Sequence, residues 1–376
     1  MILKSVVLEN FRNYHFLELR LNNNINMLIG ENAQGKTNFI EAIYYLSTGR
    51  TFRNNKDGEI INWQKDYFRI KGIIAKENIN REITIDIYYD RKGTKQIKIN
   101  GVKYKKLADL FGYLQVVVFS PDDLSIIKGS PAERRKYIDL EICQLVAGYY
   151  NNIINYNKVL VQRNNLLKEI RDHNCSAETL EVWDDQFIKF GSTMIKNRLD
   201  FLKKVVPWAR KIQQEITGGK EELEIKYSSL IVDNPQMELE AIEKKFKTLL
   251  EKNKKQEINK AFSIFGPHRD DIIFYINNND LKTFGSQGQQ RTGILSLKIA
   301  ELKLFNYNNQ EYPILLLDDV MSELDDLRRE FLINIIRNNK IQTFISGANL
   351  KIIEEGISNQ EIYQVNCGTI VSSKEE

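Results

Sequence analysis

The sequence predicts a mixed α/β fold that is interrupted by a compact helical subdomain. Short apolar or alternating segments indicate strands from residue 1 to about 130. Long amphipathic stretches, which are typical of helices, replace them from 131 to about 260. Strand and helix patterns alternate again from 261 to 376. We therefore expect one α/β domain built from both ends of the chain, with residues 131–260 inserted as a second lobe.

Composition excludes several classes of protein. The chain has 376 residues, a formal net charge of +4 and three widely separated cysteines, which do not suit a disulfide framework or a zinc site. No apolar run reaches the roughly 18 to 20 residues of a membrane span, and the N-terminal segment is too charged for a signal peptide. We expect a globular cytoplasmic protein without a membrane segment. Its net charge is too small to indicate a nucleic-acid partner.

A glycine-rich turn separates the predicted strand Ile25–Ile29 from the predicted helix Lys36–Ser47. The turn matches the pattern GxxxxGK[ST] with the residues Gly30, Glu31, Asn32, Ala33, Gln34, Gly35, Lys36 and Thr37. The glycines let consecutive N–H groups point to one place, where the positive end of the helix dipole also lies. The turn predicts a phosphate site in which Lys36 contacts the β- and γ-phosphates and Thr37 binds Mg²⁺. An ordinary glycine turn that caps a helix is the less favoured alternative.

Two carboxylates end a short apolar strand near the C-terminus. Asp318 and Asp319 follow the run Ile314–Leu317. Carboxylates at the end of a buried strand are costly to desolvate unless a cation or a donor is present. We expect Asp318 to bind Mg²⁺, directly or through water, and Asp319 to orient the attacking water. A simple turn is the alternative for the pair alone, but the phosphate loop in the same chain favours the metal site.

A serine and two glycines precede a third helical segment. Ser286 and Gly288 lie just before a helix with an apolar face, and exposed backbone donors there could bind an anion. Since one chain already supplies a phosphate loop, a second anion site would face the nucleotide of a partner molecule. A serine that only caps the helix is the more favoured alternative on these residues alone.

The helical region is too broken for one long coiled coil. Gly191, Pro207, the pair at 218–219 and Pro235 interrupt its amphipathic stretches. We therefore expect a compact subdomain.

These motifs together resemble the ABC ATPases of the SMC and RecF group. The resemblance rests on a Walker A loop at Gly30–Thr37, a signature-like segment at Ser286–Gln289, a Walker B strand at Ile314–Asp319 and a D-loop at Ser322–Asp325. Further segments are similar to the RecF family in particular: Glu9–Tyr14, Ser120–Leu124, Lys128–Arg135, Gly266–Asp271 and Leu317–Asp326. The resemblance covers roughly residues 1 to 350 and is weakest in the helical insertion. It implies an ABC-type ATPase head with a mixed sheet around the phosphate loop.

The resemblance also implies a function. Members of the RecF family bind ATP and Mg²⁺, dimerise head-to-tail around two nucleotides, and bind DNA at gaps without reading its sequence. With RecO and RecR they promote loading of the RecA recombinase, in recombinational and replication-gap repair and in SOS induction. Ser286 would then contact the γ-phosphate of the partner in trans, and Arg12 and Asn13 would lie near the adenosine. Lys36, Asp318, Asp319 and Ser286 are the expected catalytic residues.

Three departures from the wider ABC pattern concern hydrolysis. Asp319 stands where most ABC enzymes have glutamate, and its shorter arm predicts slow hydrolysis that serves as a switch. The resemblance implies that DNA stimulates this hydrolysis. Ser346 stands where a histidine is expected. No clear Q-loop glutamine follows the strand Val116–Phe119.

Basic clusters are the candidates for DNA contact. Lysines crowd residues 244–260 against two glutamates, and smaller clusters lie near residues 103–106 and 134–136. Such clusters suit phosphate-backbone binding, although a solvated helix face is the commoner explanation for any one of them. The candidates are Lys244, Lys245, Lys252, Lys254, Lys255, Lys103, Lys105, Arg134 and Arg135.

Other classes fit the sequence less well. A transporter ATPase has its signature much closer to Walker A, and a full SMC protein needs far more heptad residues between its lobes. A defence-type ABC nuclease needs a catalytic domain after Ser346, where little chain remains. A clamp that binds ATP without hydrolysing it, or a defence-associated ABC ATPase with another target, remains as the alternative.

Overall fold

The computed structural model describes residues 1–53, 56–76, 81–348 and 360–372. The chain forms two compact units. The first contains Met1–Asp123, Glu215–Gly218 and Ile294–Glu376, and the second contains Leu124–Gln214 and Gly219–Gly293. The first unit is therefore built from both ends of the chain.

An antiparallel sheet forms one layer of the first unit. Within the described residues it has the order β2-β1-β4-β5-β6-β7. Its strands are β1 (Ile2–Phe11), β2 (Tyr14–Arg20), β4 (Tyr67–Lys76), β5 (Arg81–Asp90), β6 (Lys95–Ile99) and β7 (Val102–Tyr104). Burial alternates along β4 and β5, so one face of the sheet packs on the core and the other faces solvent. The turn between β6 and β7 is an Asn100-Gly101 hairpin, in which both residues have positive φ.

A second, mainly parallel sheet carries the strand ends that form the candidate site. Within the described residues its order is β15-β14-β3-β13-β12-β8. The strands are β3 (Ile25–Ile29), β8 (Val116–Phe119), β12 (Ile314–Asp318), β13 (Thr343–Gly347), β14 (Gln360–Asn366) and β15 (Thr369–Ser372). Strands β8, β12 and β13 are buried throughout, which explains the apolar runs of β8 and β12. Because β3, β13 and β12 are parallel neighbours, their carboxyl ends meet at one edge.

Helix α1 (Lys36–Thr48) joins the two sheets of the first unit. It is buried along most of its length, and Tyr45 forms an edge-to-face aromatic cluster with Phe11 and Phe68. Phe39 packs against Phe344 of β13 on its other side. Burial on both sides fixes α1, and so fixes the loop that precedes it.

The second unit is largely helical. Its helices are α2 (Ser125–Lys128), α3 (Pro131–Leu145), α4 (Tyr149–Arg171), α5 (Leu180–Thr217), α6 (Leu239–Lys260) and α7 (Leu281–Phe284). The helix α8 (Gln287–Asn309) begins in this unit and ends in the first, which also contains α9 (Asp326–Asn339). A small antiparallel sheet completes the second unit, with β9 (Leu223–Ser228) paired to β10 (Asp271–Ile276), and β10 paired to β11 (Asn279–Asp280). Because β9 pairs with β10, the second unit extends to Gly293, beyond the predicted limit at residue 260.

Helix α5 differs from the prediction at two residues. It runs for 38 residues through both Gly191 and Pro207, which were expected to interrupt the helical pattern. The glycine has a packing role, since a Cβ there would lie 2.8 Å from a ring atom of Phe246. A continuous buried face, which includes Val205 and Ala209, outweighs the hydrogen bond that Pro207 removes. The absence of a long coiled coil is nevertheless confirmed within the described residues.

Two of the segments that resemble the RecF family are bonded to each other inside the second unit. Arg134 forms a two-pronged ion pair with Asp271 at 2.7 and 2.9 Å. Arg135 donates to the carbonyl oxygen of Asp270, whose carboxylate accepts from the Tyr227 hydroxyl. These segments therefore hold α3 against β10.

His268 makes the stability of the second unit dependent on pH. Burial lowers its pKa to about 4, a hydrogen bond to the Ser263 carbonyl opposes this, and nearby arginines including Arg269 add to the lowering. Below pH 6.5 the His268 imidazole binds a proton in the unfolded chain but not in the folded chain, so stability falls as the pH drops from 6.5 to 4. Asp270 acts in the opposite sense, since burial raises its pKa to about 6 and its contribution is lost as the pH rises through that value.

Replacing His268 with glutamine should remove the acid-sensitive part of this dependence. When the pH is lowered from 7 to 5, the free energy of unfolding of the variant should fall by about 2 kcal/mol less than that of the wild type. Urea unfolding in a Trp63→Phe background, followed by the fluorescence of Trp183 and Trp208, reports on the second unit alone. Asp270→Asn is the control and should remove the opposing gain. Parallel pH profiles for wild type and His268→Gln would rule out this role.

Candidate nucleotide site

The loop between β3 and α1 has the geometry of an anion-binding nest. Gly35 has a φ of 121°, which L-residues rarely adopt, and a Cβ on it would lie 2.7 Å from the Asn13 amide. A Cβ on Gly30 would lie only 2.3 Å from the carbonyl oxygen of Val365 in β14. The close approach of Asn13 and Val365, together with the positive φ of Gly35, therefore requires glycine at both positions. The loop ends at the N-terminus of α1, where the helix dipole favours an anion.

Lys36 lies over this loop. Its Nζ donates to the carbonyl oxygens of Gly30 and Glu31 at 2.7 Å each, and the residue is only 4% exposed. A buried cation needs a negative partner or several acceptors. The ammonium is thus placed to pair with a phosphate that the loop amides hold.

Asp318 lies at the end of β12, and its carboxylate lies beside the phosphate loop. It accepts a hydrogen bond from the Ser346 hydroxyl at 2.7 Å, and the Thr37 hydroxyl is close enough to lower its pKa. Burial raises the pKa of Asp318, the two hydroxyls oppose this, Asp319 raises it further, and Arg53 lowers it. A cation at this point would stabilise the ionised carboxylate.

These residues fit a magnesium ion. Asp318 and Thr37 offer two oxygen ligands side by side, and Mg²⁺ is commonly held by one or two protein oxygens together with substrate phosphates and water. No cluster of three or more histidine, cysteine, aspartate or glutamate side chains able to hold a metal ion occurs within the described residues.

Asp319 has an unusual backbone conformation. Its φ is 54°, in the left-handed region. Its N–H donates to Ser346 Oγ at 3.0 Å, and its carbonyl accepts from the Ser322 hydroxyl at 2.8 Å. Hydrogen bonds on both sides of the residue hold this conformation. The two predicted carboxylates thus differ in role, with Asp318 bonded at its side chain and Asp319 at its backbone.

Asn13 and Arg12 both lie beside the loop, but their contacts differ. Asn13 donates to the Gln34 carbonyl oxygen at 2.8 Å and accepts from Asn38. Arg12 makes a two-pronged ion pair with Glu41 of α1, with both distances 2.9 Å. Glu41 is fully buried and also accepts from the Thr51 hydroxyl. Arg12 therefore fixes α1 as well as bordering the site.

A cavity of about 620 Å³ adjoins this part of the loop. Arg12, Asn13 and Asn38 form one side of it, and Trp63, which is 93% exposed, forms another. An exposed aromatic side chain beside a cavity with a mainly apolar surface suits a flat ring as a ligand. The cavity is large enough for the nucleoside part of a nucleotide whose phosphates lie on the loop.

The sequence prediction missed Glu41 and the bonding role of Ser346. Glu41 gave a signal, because it is a charged residue among the apolar positions Ile40 and Ile43 of a predicted helix. A buried acid of this kind needs a cationic partner. Ser346 gave no local signal for its contacts, since only the pairing of β13 with β12 places it beside Asp318.

Ser286 belongs to the second unit and begins α8. Its Oγ accepts from the Gln289 N–H, and its own N–H donates to the Gln289 side chain. This reciprocal pair is a capping box. The helix-capping alternative therefore describes its contacts within one chain, and Gly288 lies in the first turn of the same helix. A contact with a partner's nucleotide stays a prediction.

The basic clusters differ in how they are exposed. Lys244, Lys252 and Lys255 are exposed on α6, opposite the face buried by Phe246 and Leu250. Lys245 is paired with Asp233, while Lys103 and Lys105 are exposed in the first unit. Arg134 is 5% exposed and bonded to Asp271, so its guanidinium is not presented to a phosphate backbone. None of the helices in the described residues has the length and apolar character needed to cross a membrane.

Comparison with known proteins agrees with this geometry. Residues 2–371 match the RecF/RecN/SMC N terminal domain. The chain is 44% identical to the DNA replication and repair protein RecF of Clostridium novyi (strain NT), over 98% of this chain and 99% of the relative. The chain belongs to the RecF family. It is also 40% identical to RecF of Halalkalibacterium halodurans, over 98% of this chain and 99% of that relative.

Solved structures of the family have the same fold. The recombination mediator protein RecF with ATP, from the RecFOR pathway, superposes with a TM-score of 0.90 at 35% identity, over 99% of this chain and 97% of that chain. The Smc head domain from Pyrococcus furiosus gives 0.57 at 15% identity, over 99% of this chain and 96% of that chain, and shows the fold alone. The predicted α/β head with a helical insertion is confirmed.

Proposed function

We propose that this chain is an ATP-dependent DNA-binding protein of recombinational and replication-gap repair. It would act with RecO and RecR in loading RecA, and through this in SOS induction. Family membership supports the proposal, as do the ATP-bound structure of a relative and that relative's description as a recombination mediator. The observation that carries it is the position of Thr37 of the phosphate loop beside the Asp318 carboxylate at the end of β12, close enough to lower the pKa of that carboxylate.

The roles of the site residues follow from their contacts. The loop amides from Gly30 to Thr37 and the ammonium of Lys36 would bind the phosphates of ATP. Thr37 and Asp318 would hold Mg²⁺, which neutralises phosphate charge when bound. Asp319 would orient the attacking water. Its carboxylate is one methylene shorter than that of glutamate, so we expect slow hydrolysis that acts as a switch.

The partner molecule would complete the site. In the proposed head-to-tail dimer, Ser286 and Gly288 of one chain face the γ-phosphate held by the other. The exposure of Ser286 and Gln287 at the N-terminus of α8 supports this, because the dipole of a helix favours an anion at that end. Ordinary helix capping explains the same contacts without a partner, so only an association experiment separates the two.

ATP turnover measured with and without gapped DNA tests the enzymatic part of the proposal. We expect slow turnover that increases when DNA is added. ATP binding without turnover under either condition would instead support the alternative of a clamp that does not hydrolyse ATP. Absence of ATP binding would contradict both.

Two exposed lysines of α6, Lys252 and Lys255, form the proposed DNA surface together with the partly exposed Lys254. Replacing Lys252, Lys254 and Lys255 by glutamate should weaken binding to gapped DNA on the order of tenfold or more and flatten its salt dependence. Fluorescence anisotropy across a salt series measures both quantities. Lys158, Lys168 and Lys189 of α4 and α5 are exposed in the same unit, so their triple replacement is a control of equal charge. Equal weakening in the control would show that overall charge, and not this surface, is responsible.

A further inference from the structure

Ser346 lies at the centre of the strand ends that form the nucleotide site. It is fully buried in β13, between β12 and β3. In the strand register it is opposite Asp318 on one side and Leu28 on the other. It is therefore the residue through which the strand of the carboxylates and the strand of the phosphate loop are joined.

The hydroxyl of Ser346 makes two hydrogen bonds of opposite sense. It donates to Asp318 Oδ1 at 2.7 Å and accepts from the N–H of Asp319 at 3.0 Å. The first bond directs a side chain, and the second holds a backbone in the left-handed region. One hydroxyl thus orients the Asp318 carboxylate and holds the backbone of Asp319.

A hydroxyl is well suited to this position. Serine and threonine can donate and accept through one oxygen, whereas alanine can do neither. Removing the hydroxyl would leave the Asp319 N–H without this acceptor, and would remove the hydrogen bond that Asp318 Oδ1 accepts. The Asp318 carboxylate would then be free to rotate, and the turn at Asp319 would lose one of its two restraints.

We infer that Ser346 is a positioning residue of the nucleotide site. It orients Asp318 toward the magnesium position beside Thr37, and it holds the turn that aims Asp319. Ser346 acts only through these two acids. This inference rests on the proposed function and deepens it, since it assigns the geometry of the magnesium site to a residue that binds neither metal nor nucleotide.

The experiment compares ATP binding with and without magnesium. A fluorescent ATP analogue is titrated in EDTA and in Mg²⁺, and turnover is measured at saturating ATP. Ser346→Ala should bind the analogue in EDTA as the wild type does. The factor by which Mg²⁺ raises its affinity for the analogue should be about tenfold smaller than in the wild type, and its kcat should fall by a similar factor. Ser346→Thr keeps the hydroxyl and should restore both quantities.

A neighbouring hydroxyl supplies the matched control. Thr343 is also fully buried in β13, but its hydroxyl donates to the Ile341 carbonyl oxygen, away from the acids. Thr343→Ala should lower the melting temperature and leave the magnesium effect intact. Ser346→Cys, which keeps nearly the same volume with a weaker donor, carries the test if the alanine variant does not fold.

The possible results are distinct. Wild-type magnesium dependence and kcat in Ser346→Ala, or an equal loss in Thr343→Ala, would overturn the role of Ser346 and leave the proposed function standing. Failure of the wild-type protein to bind the analogue under any condition would overturn both.

Discussion

Lys36→Met is expected to lower the affinity for MgATP by about a hundredfold or more. Methionine nearly matches the length of the lysine side chain but lacks the charge that pairs with the β- and γ-phosphates. Removing one partner of a desolvated charge pair costs about 2 to 5 kcal/mol, and about 2.8 kcal/mol corresponds to a hundredfold change in affinity. Titration of a fluorescent ATP analogue measures the effect directly.

The control for this variant is a lysine elsewhere in the same unit. Lys4 is half exposed and paired with Glu82 on the antiparallel sheet, so Lys4→Met changes the charge without touching the loop. It should bind ATP like the wild type. The Lys36 variant should keep its melting temperature without ATP, and it should lose the increase that ATP gives the wild type. Unchanged ATP affinity in Lys36→Met would remove the basis of the proposed function.

Ser286→Arg is expected to abolish the ATP-dependent dimer. In the proposed head-to-tail arrangement this serine faces the partner's γ-phosphate, where a long side chain would prevent close approach. Wild-type protein should sediment as a dimer in ATP and Mg²⁺ and as a monomer without ATP. The variant should remain monomeric at protein concentrations on the order of a hundredfold above the wild-type dissociation constant, which corresponds to a loss of about 2.8 kcal/mol.

Two features separate this prediction from loss of folding or of nucleotide binding. Ser286 belongs to the second unit, so each monomer of the variant should still bind ATP. Ser176 is another exposed serine of the second unit that accepts a hydrogen bond from a backbone N–H at the start of a helical turn. Ser176→Arg therefore controls for the loss of a cap and should dimerise normally. If the Ser286→Arg variant dimerised in ATP with the dissociation constant of the wild type, Ser286 would not lie at the contact with the partner.

The parts of the site that local sequence encodes were predictable. A phosphate loop is a contiguous run with a strand before it and a helix after it, so Gly30, Lys36 and Thr37 could be assigned without knowing any distant contact. Asp318 was recognised for the same reason, because an apolar run leads directly to it. The fold class followed from hydrophobic periodicity, which is also a local property.

Long-range contacts could not be predicted in this way. The pairing of β9 with β10 joins residues far apart in sequence, and it carries the second unit past residue 260. Arg134 reads as part of a basic cluster, but its ion pair with Asp271 makes it a buried structural residue. Pro207 reads as a helix breaker, yet the burial of its neighbours keeps α5 intact. In each case tertiary packing determined what the local pattern left open.

The hairpin of β14 and β15 has a consequence for how the site is assembled. The Cys367 and Gly368 N–H groups donate to the side chain and carbonyl of Gln34, and Gly368 lies so close to Asn13 that a Cβ would be 2.1 Å from its carbonyl oxygen. The phosphate loop thus receives its last supports from residues that leave the ribosome long after the loop itself. During synthesis, a nascent chain would lack these supports until residue 368 had been translated. Premature termination just before β14 would therefore yield a product whose loop is intact in sequence but lacks the contacts from this hairpin.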